Sequence, residues 1–177
     1  KKAIDAGVGG VVLKTVSPGE GCKYPRPRYS WQMTPGQDKH NFMMFETETH
    51  CPYDINDYCK MVREAKEISG DVPIIASVMA NTEEDWIDLA TKVEAAGADM
   101  IELNLSHPIG LKVDIPDILM IGQSPDATKA VVELVKSVVK LPVMAKLTPQ
   151  CNNLTVVAKF AAEAGVDGIT AINGFSG

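Results

Sequence analysis

The chain has 177 residues, 45% of them hydrophobic and 23% charged, which is enough apolar sequence for one globular domain and excludes disordered and fibrous classes. Its 17 Lys and Arg against 23 Asp and Glu leave a formal charge of −6, which opposes binding to a phosphate backbone, and no basic stripe offsets it. No apolar run approaches the ~18–20 residues that cross a bilayer, and the opening residues carry no signal-peptide core, so neither nucleic acid nor membrane is expected as a partner.

The same punctuation occurs three times along the chain, at Ala6-Gly7-Val8-Gly9-Gly10-Val11-Val12, Ala96-Gly97-Ala98-Asp99-Met100-Ile101 and Ala164-Gly165-Val166-Asp167-Gly168-Ile169. In each, a helix ends on a glycine that accepts a left-handed backbone without steric cost, and a short apolar strand follows. In chain order, the first strand is expected at about 10–16. A Pro-, Gly- and aromatic-rich loop follows at about 17–53, too long for an ordinary βα connection and in the position where substrate contacts often lie. A helix is expected over about 55–68, and a strand at 73–79 begins at Pro73, where a missing N–H is tolerated. Thr82 caps the next helix, with Trp86, Leu89, Ala90 and Val93 on its apolar face. A strand at 99–105 comes next, then a helix opened by Ser124-Pro125. The series ends with a strand at 142–148, a helix over about 153–164 and a strand at 167–173.

Parallel strands alternating with helices imply right-handed crossovers, and hence a doubly wound sheet or a (β/α) barrel. A closed eight-stranded barrel takes ~250 residues. The expected fold is therefore α/β: about five central strands of a (β/α)8 TIM barrel, with 1–177 a partial barrel domain lacking the first, seventh and eighth strands. The four cysteines Cys22, Cys51, Cys59 and Cys151 form no CxxC pair, so neither zinc nor an iron–sulfur cluster is read from them, and isolated thiols fit a cytoplasmic location. His40 and His50 lack metal-ligand spacing, and Arg26 and Arg28 either clamp an acidic group or brace the long loop.

In such folds the ligand lies beyond the carboxyl ends of the strands. Polar residues gather there: Lys14-Thr15, Glu102-Leu103-Asn104-Leu105-Ser106-His107, Lys146-Leu147-Thr148 and Asn173-Gly174. A lysine ending a buried strand must meet a carboxylate or an anionic ligand, because an unpaired buried ammonium is costly. Lys14 and Lys146 therefore point to a shared electronegative occupant, or one of them pairs with Glu102 inside the barrel. Asn104 offers both a donor and an acceptor to a heteroaromatic edge.

These stretches, together with Ile74-Ile75-Ala76-Ser77-Val78-Met79, Gly122-Gln123, Ala145-Lys146-Leu147-Thr148-Pro149, Thr170-Ala171 and Ser176-Gly177, carry a resemblance. The chain resembles the FMN-dependent dihydropyrimidine and dihydroorotate dehydrogenases, above all the flavin- and pyrimidine-binding barrel of dihydropyrimidine dehydrogenase. The resemblance implies FMN as cofactor, with Lys14, Thr15, Asn104, Lys146 and Asn173 around its ring. It places the lysine matching Lys146 near the flavin N1 and C2-carbonyl end, where a fixed cation stabilises negative charge. Asn104, Ser106, Asn173 and Gly174 are the substrate-side positions it suggests. It further implies hydride transfer between flavin and an activated C=C bond, oligomerisation, and an iron–sulfur or nicotinamide-linked electron-transfer subunit.

Four positions depart from the family pattern. His107 stands where a cysteine or serine normally exchanges the substrate proton, and an imidazole can serve there because its ordinary pKa of ~6.5 suits acid–base work. Ile109, Met44 and Gly174 replace polar pyrimidine-binding residues. Each lost hydrogen bond to a ring rich in carbonyl and N–H groups costs ~1–3 kcal/mol. The expected small-molecule substrate is therefore a less polar unsaturated compound and not an ordinary pyrimidine. Two rival readings stand beside this one: a flavin-free barrel lyase or aldolase forming a Schiff base on Lys146 or Lys14, and a non-catalytic barrel subunit or ligand-binding module.

Overall fold

The computed structural model describes residues 2–19, 33–35, 42–44, 51–106 and 120–174. The elements run α1 (Lys2–Asp5), β1 (Val11–Val12), β2 (Met33–Pro35), β3 (Phe42–Met44), α2 (Ile55–Ser69), β4 (Ile74–Val78), α3 (Glu83–Ala95), β5 (Met100–Asn104), α4 (Pro125–Val138), β6 (Val143–Lys146), α5 (Leu154–Glu163) and β7 (Gly168–Thr170). Five strands form one sheet in the order β1-β4-β5-β6-β7, every neighbouring pair parallel. Strands and helices alternate from β4 onwards in a curled half-barrel. This is the α/β architecture expected from the sequence, a partial TIM barrel.

Local chemistry sets the helix ends. Thr82 Oγ1 accepts the Asp85 N–H at 3.1 Å, Ser124 Oγ accepts the Ala127 N–H at 3.2 Å, and Asn153 Oδ1 accepts the Val156 N–H at 3.3 Å. Each satisfies a donor that the first helical turn leaves free. The three repeated glycines adopt the left-handed backbone their position requires, with φ of 81° at Gly7, 92° at Gly97 and 85° at Gly165.

The strands are shorter than expected, and β1 most of all. Its ladder with β4 holds at Val11 and Val12, breaks, and resumes as a single bridge between Val16 and Val78. Across the gap the Tyr58 hydroxyl of α2 stands in for a strand: it accepts the Ser77 N–H at 3.2 Å and donates to the Ser77 carbonyl at 3.4 Å. The extra residue in β1 is a bulge, a device that re-aims side chains next to functional sites. It leaves Lys14 exposed and turns Thr15 inward, whereas simple alternation had grouped both with the strand end. Within the long loop, β2 and β3 pair antiparallel, Met33 with Met44 and Pro35 with Phe42, a hairpin the sequence did not signal.

Alternate residues of β4, β5 and β6 face two sides. Ala76, Val78, Ile101, Leu103, Val143 and Ala145 pack against Trp86, Leu89, Val131, Val135 and Val157 of the helices. Ser77, Glu102, Asn104 and Lys146 lie on the opposite face. At the amino ends, three carboxylates tie the units together. Asp99 binds Lys66 and the Ile74 N–H, Asp167 binds Lys136 and the Val143 N–H, and Glu94 takes the N–H groups of Lys140 and Leu141. No helix among the described residues is long and apolar enough to cross a membrane.

Candidate functional site

The register of the sheet puts Asn104 opposite Lys146, and Lys146 opposite Thr170, while Ser77 stands opposite Glu102. Polar side chains from four strands, β4 to β7, thus converge on the inner face toward the carboxyl ends. Burial of this kind is tolerable only if every group finds a partner, and the hydrogen bonds show how that is met.

Asn104 is the hub. Its Nδ2 donates to Thr15 Oγ1 at 3.1 Å, and its Oδ1 accepts the Ser106 N–H at 3.2 Å and the Ser106 hydroxyl at 2.8 Å. Asn173 Nδ2 lies 3.4 Å from the same oxygen and also donates to Ser106 Oγ. Asn173 Oδ1 in turn accepts the Gly174 N–H at 3.0 Å. Below this rim, the Thr15 and Ser77 hydroxyls are 2.9 Å apart, and Ser77 donates its proton to Glu102 Oε1 at 3.0 Å. Thr15 must therefore donate to Ser77. The donors run in one direction, from Asn104 through Thr15 and Ser77 to the Glu102 carboxylate, which also takes the Thr170 hydroxyl on Oε2 at 2.9 Å.

Lys146 Nζ lies 4.0 Å from Glu102 Oε1 and its side chain is 23% exposed, against 3% for Glu102. The ammonium therefore sits beside a buried carboxylate while part of the lysine side chain reaches solvent. Of the two lysines singled out from the sequence, Lys146 takes the pairing with Glu102. Lys14 does not end a buried strand, because the bulge exposes it; its charge instead acts on Cys51. Burial pushes the Cys51 thiol up, partly offset by a Tyr53 backbone hydrogen bond and by Lys14. Burial also pushes the Tyr58 phenol up, consistent with a neutral hydroxyl serving both Ser77 groups.

The structure brings together Thr15, Asn104, Ser106, Lys146 and Asn173, with Gly174 beside them. His107 and Ile109 lie outside the described residues, as do His40, His50, Arg26, Arg28, Cys22 and Ser176-Gly177, and at Met44 only the backbone is described. Sequence reasoning had not placed Ser77, Thr170 or Tyr58 in the site. The available signal was a hydroxyl residue on the inner face of otherwise apolar β4 and β7, in register with Glu102 and Lys146.

The dihydroorotate dehydrogenase family model matches residues 1–176. The chain belongs to the dihydroorotate dehydrogenase family. It is 35% identical to the NAD-dependent dihydropyrimidine dehydrogenase subunit PreA of Escherichia coli, over 97% of this chain and 41% of that protein. To the catalytic subunit of dihydroorotate dehydrogenase B (NAD(+)) of Methanocaldococcus jannaschii it is 36% identical, over 67% of this chain and 38% of that one. It thus spans about two fifths of the length of these relatives. A likeness to Rhizobium etli pyruvate carboxylase, with 16% identity, a TM-score of 0.52, and coverage of 67% of this chain and 10% of the other, concerns the fold alone.

The donor set fits a planar, electron-poor heteroaromatic ring. It offers two carboxamides, a hydroxyl and an ammonium at the carboxyl ends of the strands, with apolar Ala145 and Leu147 flanking Lys146 in sequence and packed away into the core. Anions and polarised carbonyls are stabilised by such preorganised donors more than in water.

Proposed function

We propose that this chain forms the ring-binding side of an FMN-dependent oxidoreductase, dihydropyrimidine dehydrogenase-like, acting on CH–CH bonds. The observation that supports this most directly is the convergence of Asn104, Asn173, Thr15 and Lys146 on one rim in a chain of the dihydroorotate dehydrogenase family. FMN, when bound, supplies the hydride acceptor or donor. Lys146 would present fixed positive charge to the edge of the ring that becomes electron-rich, and Lys14 a second, more exposed cation at the mouth. Asn104 and Asn173 would orient ring or substrate, because their amides are locked by Thr15, Ser106 and the Gly174 N–H. Thr15 holds the Asn104 amide in one orientation.

His107, following directly after Ser106, is proposed to hold or move the substrate proton. Ile109, Met44 and Gly174 remove polar contacts that a pyrimidine would use, so the proposed substrate is a less polar unsaturated carbonyl or ring compound. The two relatives named above are both subunits of NAD-dependent dehydrogenases, which supports an electron-transfer partner subunit here too.

The full-length protein, purified gently and supplied with FMN, is expected to be yellow and to be reduced by such a substrate. A protein that stays colourless overturns the reading, and borohydride trapping of substrate on Lys146 replaces it with Schiff-base chemistry. Replacing His107 by Gln is expected to slow the substrate half-reaction while leaving reoxidation unchanged; equal substrate half-reaction rates remove the acid–base role.

A further inference from the structure

Glu102 is almost fully buried, and the function proposed above gives it no task. It is nevertheless the point at which the network ends. Its Oε1 takes the Ser77 hydroxyl at 3.0 Å and lies 4.0 Å from Lys146 Nζ, and its Oε2 takes the Thr170 hydroxyl at 2.9 Å. Among the described residues it is the carboxylate within ion-pair distance of Lys146. Ser77 comes from the neighbouring β4 and Thr170 from β7, beyond β6 on the other side, so two hydroxyls fix the carboxylate while the carboxylate faces the ammonium.

We propose that Glu102 is a positioning residue: it tethers the Lys146 ammonium at the ring edge and sets the direction of the Asn104–Thr15–Ser77 relay. A lysine ammonium is a hydrated point charge on a flexible stem, and the Lys146 side chain is already partly exposed. Without the carboxylate, water is the better partner and the cation leaves the ring edge. The relay acts in the same sense: with an acceptor-only carboxylate at its end, Ser77 must donate downwards, Thr15 must donate to Ser77, and the Asn104 amide must turn its NH2 to Thr15.

The proposal rests on the FMN reading, but it has one readout that does not need flavin. In flavin-free full-length protein, Glu102→Gln is expected to raise acetylation of Lys146 by an amine-reactive succinimidyl ester at least threefold, with Lys66 as internal reference. Peptide mass spectrometry would measure it. In the FMN-loaded protein the same variant is expected to lower the ratio of reduced to oxidised flavin affinity about tenfold, a fall of ~30 mV for a two-electron couple. The sign decides the matter, because removing a negative charge beside an unmoved lysine would raise the potential instead. In a Lys146→Met background the Glu102→Gln fall should disappear.

Unchanged labelling, or a potential that rises, overturns the tether. A wild-type protein that binds no FMN overturns the proposed function, while the labelling still decides the tether. If Glu102→Gln does not fold, Thr170→Val removes one of the two hydroxyls that fix the carboxylate. About twofold higher Lys146 labelling supports the proposal, and unchanged labelling refutes it.

Discussion

Replacing Asp99 by Asn would remove the charge from a clamp at the amino end of the sheet. Asp99 takes Lys66 Nζ at 2.7 Å on Oδ1 and 2.8 Å on Oδ2, and the Ile74 N–H at 2.7 Å on Oδ2. Asparagine keeps one carbonyl oxygen for the Ile74 N–H and loses the ion pair. Hydrogen bonds to charged groups contribute ~1.5–3 kcal/mol, but the Lys66 and Asp99 side chains are 31% and 35% exposed, and solvent screening cuts such a pair to ~1 kcal/mol or less. With the weakened Ile74 bond added, the expected loss is about 1–2 kcal/mol, or about 2–8 °C in Tm. Burial alone would push the Asp99 carboxyl up. The Lys66 hydrogen bond, the Ile74 N–H and the Lys66 charge outweigh it, leaving the carboxyl below its ordinary value. A carboxyl lowered in the folded state stabilises fully above its unfolded pKa of ~3.9 and loses that contribution as pH falls through the folded value. Urea midpoints of the full-length wild type and variant, measured from pH 7 to pH 3 at constant ionic strength, should therefore differ at neutral pH and converge below about pH 4. Equal midpoints at pH 7, or a gap that persists undiminished at pH 3, would refute the reasoning.

Asp167→Asn should act in the same direction by a smaller amount, because its side chain is 41% exposed; the Lys136 hydrogen bond and then the Val143 N–H hold its carboxyl low, and the same urea series checks it. Gly122→Ala places a Cβ 2.9 Å from the Leu105 carbonyl and 3.0 Å from Thr148 Cγ2, one of them backbone, and should cost ~1–3 kcal/mol in chemical denaturation; a neutral effect would mean that the turn at Ile121–Gln123 is free to move. Tyr58→Phe leaves the Ser77 N–H without its acceptor while the Ser77 carbonyl keeps the Val16 N–H at 2.9 Å, so the expected loss is ~1–3 kcal/mol with faster hydrogen exchange at the Ser77 amide. Unaltered exchange there would show that the phenol does not complete the ladder.

What the sequence made legible follows from how local each signal is. Thr82, Ser124 and Asn153 cap their helices through bonds three residues away, and Gly97 and Gly165 turn left-handed for reasons contained in one residue. The strand ends are set by neighbours instead. A β1 that looks continuous over 10–16 is interrupted where Tyr58, far along the chain, takes the Ser77 N–H that a strand carbonyl would otherwise accept. That single bulge separates Lys14 from Lys146, two lysines that alternation alone treats as equivalent. Asn104 and Lys146 were recoverable because each ends an apolar run and the parallel register sets them side by side. Ser77 and Thr170 look like ordinary strand hydroxyls until the Glu102 carboxylate is placed between them.

The two ends of the sheet use charge differently, and the difference bears on what can be changed without harm. At the amino ends, Asp99 and Asp167 are held by lysines and backbone N–H groups of their neighbours, partly exposed and independent of one another. At the carboxyl ends, a connected run of amides and hydroxyls ends on one buried carboxylate. Separate clamps lose stability one at a time, roughly additively, whereas members of a connected network couple. Loss of a clamp should therefore lower Tm with little change at the rim, in keeping with the division of barrels into a stabilising and a ligand-binding end. Loss of Glu102 should move Lys146 and Asn104 together, because the same carboxylate faces the one and, through Ser77 and Thr15, orients the other.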